Sequence, residues 1–60
     1  MTWTTTGDVM TAEGFYSRQY RVEPENGRWR AHADRNSRMF ATVEDAKQWC
    51  EYEEREMRKG

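Results

Sequence analysis

The sequence contains no leucine and no isoleucine, two of the residues that most often fill a protein core. In this chain of 60 residues the apolar side chains must come from eight aromatic residues, three Val, four Met and five Ala. A shortage of branched aliphatic residues is typical of disordered chains only when the net charge is high and aromatics are few. Here the net charge is −1 and aromatics make up 13%, so we expect one folded domain with a thin core.

Cysteine and histidine each occur once, as Cys50 and His32. A single Cys cannot form an intrachain disulfide, and one Cys with one His cannot supply the four ligands of a usual zinc site. Because small secreted domains commonly depend on disulfides, the composition favours the cytoplasm, that of the host cell if the chain is phage-encoded. We predict Cys50 to be a core residue and His32 to be solvated, with no metal and no other cofactor.

Long apolar runs are also missing, the longest being Met39-Phe40-Ala41. The N-terminus has neither a basic segment nor an apolar stretch, so we expect neither a standard export signal nor a membrane span. An enzyme needs a pocket with two or more convergent titratable groups, and this chain offers few. We therefore expect a protein without enzymatic activity.

The middle of the chain has the pattern of a small antiparallel sheet. Trp29, Ala31 and Ala33 alternate with polar residues, as in a half-buried strand, and Asn26-Gly27 favours a tight turn before it. Residues 15–22 are predicted to form the preceding strand. A turn at 35–37 would lead into a short third strand at 38–41. Trp29 would then be the largest inward side chain of the central strand.

A helix is predicted from Val43 to Arg58, with Thr42 as its N-cap and acidic residues in its first turn. The predicted fold class is α+β, a three-stranded antiparallel meander packed against one C-terminal α-helix. Residues 15–60 would form this single domain, and residues 1–14 an N-terminal arm or an extra edge strand.

On a helical wheel, one apolar arc should face the sheet. Its members are Val43, Ala46, Trp49, Cys50 and Met57. The acidic residues of the helix are interpreted mostly as a solvated face, with Glu54 paired to Arg58 one turn later. Glu53 falls inside the apolar arc and is expected to reach the rim of the sheet or to pair with an Arg there.

Two surfaces are candidates for binding a partner. The first, here called the helix flank, consists of Asp45, Trp49, Tyr52 and Glu56, which lie at spacings of four, three and four. Aromatic anchors edged by charges are typical of protein interfaces. The alternative interpretation is that Trp49 and Tyr52 only wrap the edge of the core.

The second surface, here called the arginine face, is the predicted outer face of the sheet, carrying Arg21, Arg28, Arg30 and Arg38. Residues 17–38 contain six Arg against three acidic residues, and Arg suits phosphate recognition better than Lys. The alternative is that an open antiparallel sheet solvates one face in any case.

The predicted order is a strand, an Asn-Gly turn, a strand with Gly27-Arg28-Trp29-Arg30, a short strand ending in Phe40, and a helix opening at Thr42. This order resembles small β-β-β-α domains of phage and mobile-element proteins. Among these are the arm-type DNA-binding domains of tyrosine recombinases, whose sheet enters the major groove. The resemblance covers about residues 15–52 and implies DNA binding through the sheet. The acidic helix and net acidic charge depart from that family.

We expect a small binding module, most in keeping with a phage-type or accessory protein that binds and modulates or inhibits a host or defence protein. Nucleic-acid binding through the arginine face is the alternative. A homodimer built on an edge strand or on the helix flank is a third hypothesis.

Overall fold

The computed structural model describes the backbone of residues 1–34 and 36–59 and the side chains of residues 1–34 and 36–56. The elements are β1 (Trp3–Thr6), β2 (Val9–Glu13), a short 3-10 turn (Phe15–Ser17), β3 (Gln19–Glu25), β4 (Arg28–Ala33), β5 (Asn36–Phe40) and α1 (Val43–Lys59). The strands form one antiparallel sheet in the order β1-β2-β3-β4-β5, and α1 packs against β3, β4 and β5. The α+β class is confirmed, but the sheet has five strands in the described residues instead of three.

The two extra strands come from residues 1–14, which join the sheet as a hairpin. Thr6 and Val9 face each other across the two-residue connection Gly7-Asp8, and Gly7 has a φ of 62°, which suits a residue without a Cβ. Threonine is β-branched and favours extended backbone, yet a run of Thr shows no apolar alternation. That is why the sequence predicted only an arm or one edge strand here.

The turn at Asn26-Gly27 is confirmed. Both residues have positive φ, 51° and 76°, and they connect the directly opposed residues Glu25 and Arg28. Two consecutive positive φ values match the type I′ turn, whose twist fits a hairpin.

Two predicted strand boundaries are wrong. β3 begins at Gln19, because Phe15–Ser17 forms the 3-10 turn instead of the start of a strand. β5 begins at Asn36, so Asn36 and Ser37 lie in a strand where a turn was predicted; Arg35 lies outside the described residues.

The core lies between one face of the sheet and the helix. The buried apolar residues are Met10, Ala12, Tyr20, Val22, Ala31 and Ala33 from the strands, and Ala46 and Cys50 from α1. Trp29 is only half-buried, and β3, which carries the fully buried Val22 and the almost fully buried Tyr20, is the central strand. The predicted helix arc is confirmed at its described side chains; that of Met57 lies outside them.

The helix begins as predicted. The Thr42 hydroxyl oxygen accepts a hydrogen bond of 3.2 Å from the backbone N–H of Asp45, and Glu44 and Asp45 occupy the first turn. This side chain satisfies one of the N–H groups that a helix start leaves without an intrahelical partner.

Candidate functional site

Glu54 is a buried carboxylate on the helix face that packs against the sheet, with only 8% of its surface exposed. One oxygen accepts a 2.7 Å hydrogen bond from the Tyr20 hydroxyl, and the other accepts a 2.7 Å bond from the backbone N–H of Phe15. The prediction that Glu54 belongs to a solvated helix face is therefore wrong. A buried charge needs such donors, since an unpaired one would be costly.

Tyr20 is held in its neutral form at this contact. Burial, followed by the hydrogen bond to Glu54 and the charge of that carboxylate, keeps the pKa of the Tyr20 hydroxyl well above its usual value. The hydroxyl therefore stays a donor to Glu54 over the whole physiological range. A core residue and a helix residue are thus joined by one charge-assisted bond.

Gly14 makes room for this carboxylate. A Cβ built on Gly14 would overlap the carboxyl group of Glu54, whereas the Gly14 backbone, with φ −108°, lies in a region open to any residue. The Gly14 N–H also donates to the Arg18 carbonyl at 2.9 Å, and the Arg18 N–H donates to the Phe15 carbonyl at 3.2 Å. Glycine is needed here for space and not for its backbone freedom.

The segment that Glu54 holds is an exposed turn of three residues, Phe15, Tyr16 and Ser17, here called the aromatic turn. Tyr16 is 86% exposed and Phe15 49%, with their ring centroids 6.3 Å apart. Tyr16 and Ser17 both have a φ of 59°, in the left-handed region that non-glycine residues enter at a cost of about 1–2 kcal/mol each. Tyr16, one of these two adjacent strained residues, thus carries the most exposed large hydrophobic side chain described.

An open pocket of about 270 Å³ lies beside the aromatic turn. Its lining consists of Met1, Glu13, Gly14, Phe15 and Glu54. On the other side of the turn, the Arg18 guanidinium donates to the Asp34 carboxylate at 3.0 Å. The turn is thus tied both to the helix and to the end of β4.

Only part of the helix flank is exposed to solvent and so free to contact a partner. Trp49 is half-buried and packs on Phe40, with ring centroids 5.8 Å apart and planes at 45°. Tyr52 is 54% exposed, and Asp45 and Glu56 are exposed. The structure therefore places Trp49 at the edge of the core and leaves Tyr52 as the exposed aromatic residue of this flank.

Glu53, beside the flank, is half-buried and accepts a 3.2 Å hydrogen bond from the Asn36 side chain. The predicted reach of Glu53 to the sheet rim is confirmed.

The outer face of the sheet carries ion pairs among its strands. Arg30 contacts the Glu25 carboxylate at 2.6 Å, and Arg21 contacts Glu23 at 3.2 Å. Hydrogen bonding to Arg30 lowers the pKa of Glu25 below its usual value. The other Glu23 oxygen lies 3.2 Å from His32 Nε2, so His32 is half-buried and partnered, not merely solvated as predicted.

The predicted arginine face does not form as one surface. Arg38 lies opposite Ala31 in the β4–β5 register, which places it on the helix side of the sheet, with its guanidinium 5.8 Å from the centre of the Phe40 ring. Arg21, Arg28 and Arg30 lie on the outer face. Of these three, Arg28 alone has no ion pair within the described part of the chain.

Among the described residues, no group of three or more His, Cys, Asp and Glu side chains could hold a metal ion. Cys50 is fully buried, and burial together with Glu51 and Glu53 raises the pKa of its thiol to about 12. Within the same residues, no helix is both long and apolar enough to cross a membrane.

Comparison with known proteins gives no relative: no protein-family model, no curated protein and no solved structure matches the chain. The residues that sequence reasoning missed are Glu54, Gly14 and the aromatic turn. The presence of Gly-Phe-Tyr-Ser between two strands was the available signal, because glycine beside two aromatic residues suits an exposed turn at least as well as a strand start.

Proposed function

We propose that this protein is a non-enzymatic binding module that engages a protein partner through the aromatic turn. The observation that carries the proposal is Tyr16, an aromatic side chain 86% exposed on a left-handed backbone. Strain at an exposed residue is retained only when the surrounding structure imposes it, and such residues cluster at functional sites. Tyrosine is enriched at interface centres because it combines a large apolar ring with a polar hydroxyl.

Pre-organisation of the turn supports the same proposal. The Glu54 carboxylate fixes the Phe15 backbone, and the Arg18–Asp34 ion pair fixes the other end. A turn that is ordered before binding loses less conformational entropy when it binds, so its contacts contribute more to affinity. Glu54 contacts the turn from the helix, so the helix positions the proposed interface.

In this proposal the chain is a phage-type or accessory protein of the cytoplasm. It modulates or inhibits a host or defence component by occupying a surface of that partner. The helix flank, through Tyr52, is the alternative surface for a protein partner. A partner surface with an aromatic-accepting pocket would suit Tyr16, with the hydroxyl at the wet rim.

Nucleic-acid binding through the outer face is the weaker alternative. Glu25 and Glu23 neutralise Arg30 and Arg21 at close range, and the net charge of −1 opposes attraction to phosphate. Arg38, which the alternative also needs, lies on the other side of the sheet.

The proposal is tested by quantitative affinity capture from the native cell with and without nuclease. Tyr16→Gly removes the aromatic ring and is compatible with the positive φ, and Tyr52→Ala is the matched loss of an exposed tyrosine elsewhere. We expect the parent to capture a protein with or without nuclease. That protein should be lost with Tyr16→Gly and retained at least in part with Tyr52→Ala. Full capture by folded Tyr16→Gly would overturn the proposed site, and capture abolished by nuclease would favour the alternative.

A further inference from the structure

Among the described residues, strand β1 has a neighbouring strand on one side only. In the order β1-β2-β3-β4-β5, its other edge is open, and that edge carries Trp3-Thr4-Thr5-Thr6. Natural proteins protect such edges with charged residues, proline or bulges, because unpaired backbone groups can recruit another strand. β1 contains no charge and no proline, and its four residues pair with β2 without interruption.

The register defines which backbone groups face the open edge. Thr6 and Val9 close a two-residue connection, so they exchange backbone hydrogen bonds, and by alternation Thr4 does the same with Thr11. The N–H and C=O groups of Trp3 and Thr5 then point away from the sheet. The same alternation agrees with the backbone bond between Asp34 and Gln19 at the far end of β3.

We propose that β1 pairs antiparallel with β1 of a second copy of this chain, about a twofold axis at Thr4. In this register Trp3 of each copy lies opposite Thr5 of the other, and these are the residues whose backbone groups are directed outward. Each of the two Trp3–Thr5 pairs contributes two N–H···O=C bonds. The two five-stranded sheets would become one ten-stranded sheet. This inference is independent of the aromatic turn.

The side chains of β1 suit this register. Trp3 and Thr5 lie on the helix side of the sheet and would form an aromatic–β-branched pair across the axis, a favourable cross-strand combination. The Trp3 ring is already positioned by a 3.3 Å hydrogen bond to Glu51 and by Lys47, whose amino group is 5.6 Å from the ring centre. Thr4 would face Thr4, so no like charges meet.

The other open edge, β5, is protected against the same operation. By the alternation across β4, Ser37 and Met39 point their backbone groups outward, and the corresponding twofold axis falls on Arg38. Two arginines would then meet at the closest type of cross-strand pair and repel each other. Pairing through β1 alone closes after two copies, so the structure favours a dimer over a filament.

Disulfide cross-linking tests the register. A directly opposed, non-hydrogen-bonded pair has Cα atoms about 4.5 Å apart, within the range for a disulfide. We expect Thr4→Cys to form a covalent dimer under mild oxidation, whereas Thr6→Cys, also exposed but opposite position 2 of the second copy, should not. The native Cys50 is buried and serves as a silent thiol in both. Equal cross-linking of both variants, or of neither, would overturn the register.

Sedimentation tests the association itself. Thr5→Pro deletes an N–H that faces the open edge and leaves the bonds between β1 and β2 intact, and Thr4→Lys places two like charges at the axis. Each should weaken dimerisation by about tenfold or more with unchanged circular dichroism. A parent that stays monomeric at about 1 mM, or that forms species larger than a dimer, would overturn the proposal.

Discussion

Gly14 has to be small because the buried carboxylate of Glu54 fills the space that a side chain at position 14 would need. The carboxylate is held by donors from Tyr20 and Phe15, so it cannot move aside for a larger residue at position 14. Overpacking at such a site usually costs about 1–3 kcal/mol.

A double-mutant cycle checks this pair. Gly14→Ala should destabilise the parent by about 2 kcal/mol, and Glu54→Ala by about 3 kcal/mol because two donors are left without the carboxylate. In the Glu54→Ala background, Gly14→Ala should cost less than about 0.5 kcal/mol, since its φ of −108° suits alanine. Chemical denaturation of the four proteins gives the coupling energy. Additive effects would show that Gly14 is required for another reason.

We expect Tyr16 to lower the free energy of unfolding because its backbone is strained. Tyr16→Gly removes an L-residue from a φ of 59° and should raise the free energy of unfolding by about 1 kcal/mol, the left-handed strain less the added freedom of the unfolded chain. The matched change Tyr52→Gly, in the helix, should lower it by about 0.5 kcal/mol. Thermal and urea unfolding measure both. A destabilised Tyr16→Gly would mean that the ring contributes to the fold.

Cys50 should be unreactive until the protein unfolds. At pH 8 a thiol with a pKa of about 12 is almost entirely protonated, and its side chain is buried beside the His32 carbonyl. Labelling with a disulfide reagent should therefore be slow in native protein and fast in denaturant. Rapid labelling without denaturant would place Cys50 outside the core.

The raised pKa of Cys50 also makes the stability of the fold depend on pH. The folded pKa of Cys50 lies above its ordinary value of 9.0, so the unfolded state loses this proton first as pH rises. The stability that this thiol contributes is present below pH 9.0 and is lost between pH 9.0 and about 12. The raised pKa of Tyr20 acts in the same direction at higher pH.

At the scale of single elements, local signals gave the helix and one turn correctly. Thr42 marks the helix start and Asn26-Gly27 the β3–β4 turn because each satisfies a backbone requirement within a few residues. The aromatic and β-favouring residues of 15–22 predict a strand, but residues 15–17 form a turn. Its conformation depends instead on Glu54, 39 residues away from Phe15, and no local pattern contains that contact.

The helix cap should have a measurable share of stability. Thr42→Ala removes the hydroxyl that accepts from the Asp45 N–H and should cost about 1 kcal/mol, whereas Thr42→Ser should keep the bond and most of the stability. Circular dichroism melts of the two variants provide the comparison. Equal losses would point to the Thr methyl group and not to the cap.

At the scale of the whole molecule, the α+β class was predictable and the distribution of charge over the two faces was not. A one-residue shift in strand register moves every side chain of a strand to the other face, and Arg38 shares the face of Phe40, which packs on Trp49 of the helix. The outer acids Glu23 and Glu25 were visible in the sequence. Their pairing with Arg21 and Arg30 depends on register and side-chain geometry, which counting charges does not supply.

The charge balance of the outer face leads to a prediction about nucleic acids. With Glu23 and Glu25 in place, the parent should show no anisotropy change with duplex or single-stranded DNA at low salt. The double variant Glu23→Gln, Glu25→Gln releases Arg21 and Arg30 and should bind DNA weakly, with an affinity that falls steeply as salt is added. The pairs are partly exposed, so the fold should survive the change.

Arg28→Glu with Arg30→Glu, introduced into that double variant, should abolish the gained binding, and circular dichroism should confirm that the sheet is intact. Salt-sensitive DNA binding by the parent, lost when Arg28 and Arg30 are reversed, would contradict the argument from ion pairing. It would move the function from the aromatic turn to the outer face of the sheet, because phosphate would then have displaced Glu23 and Glu25 from their arginine partners.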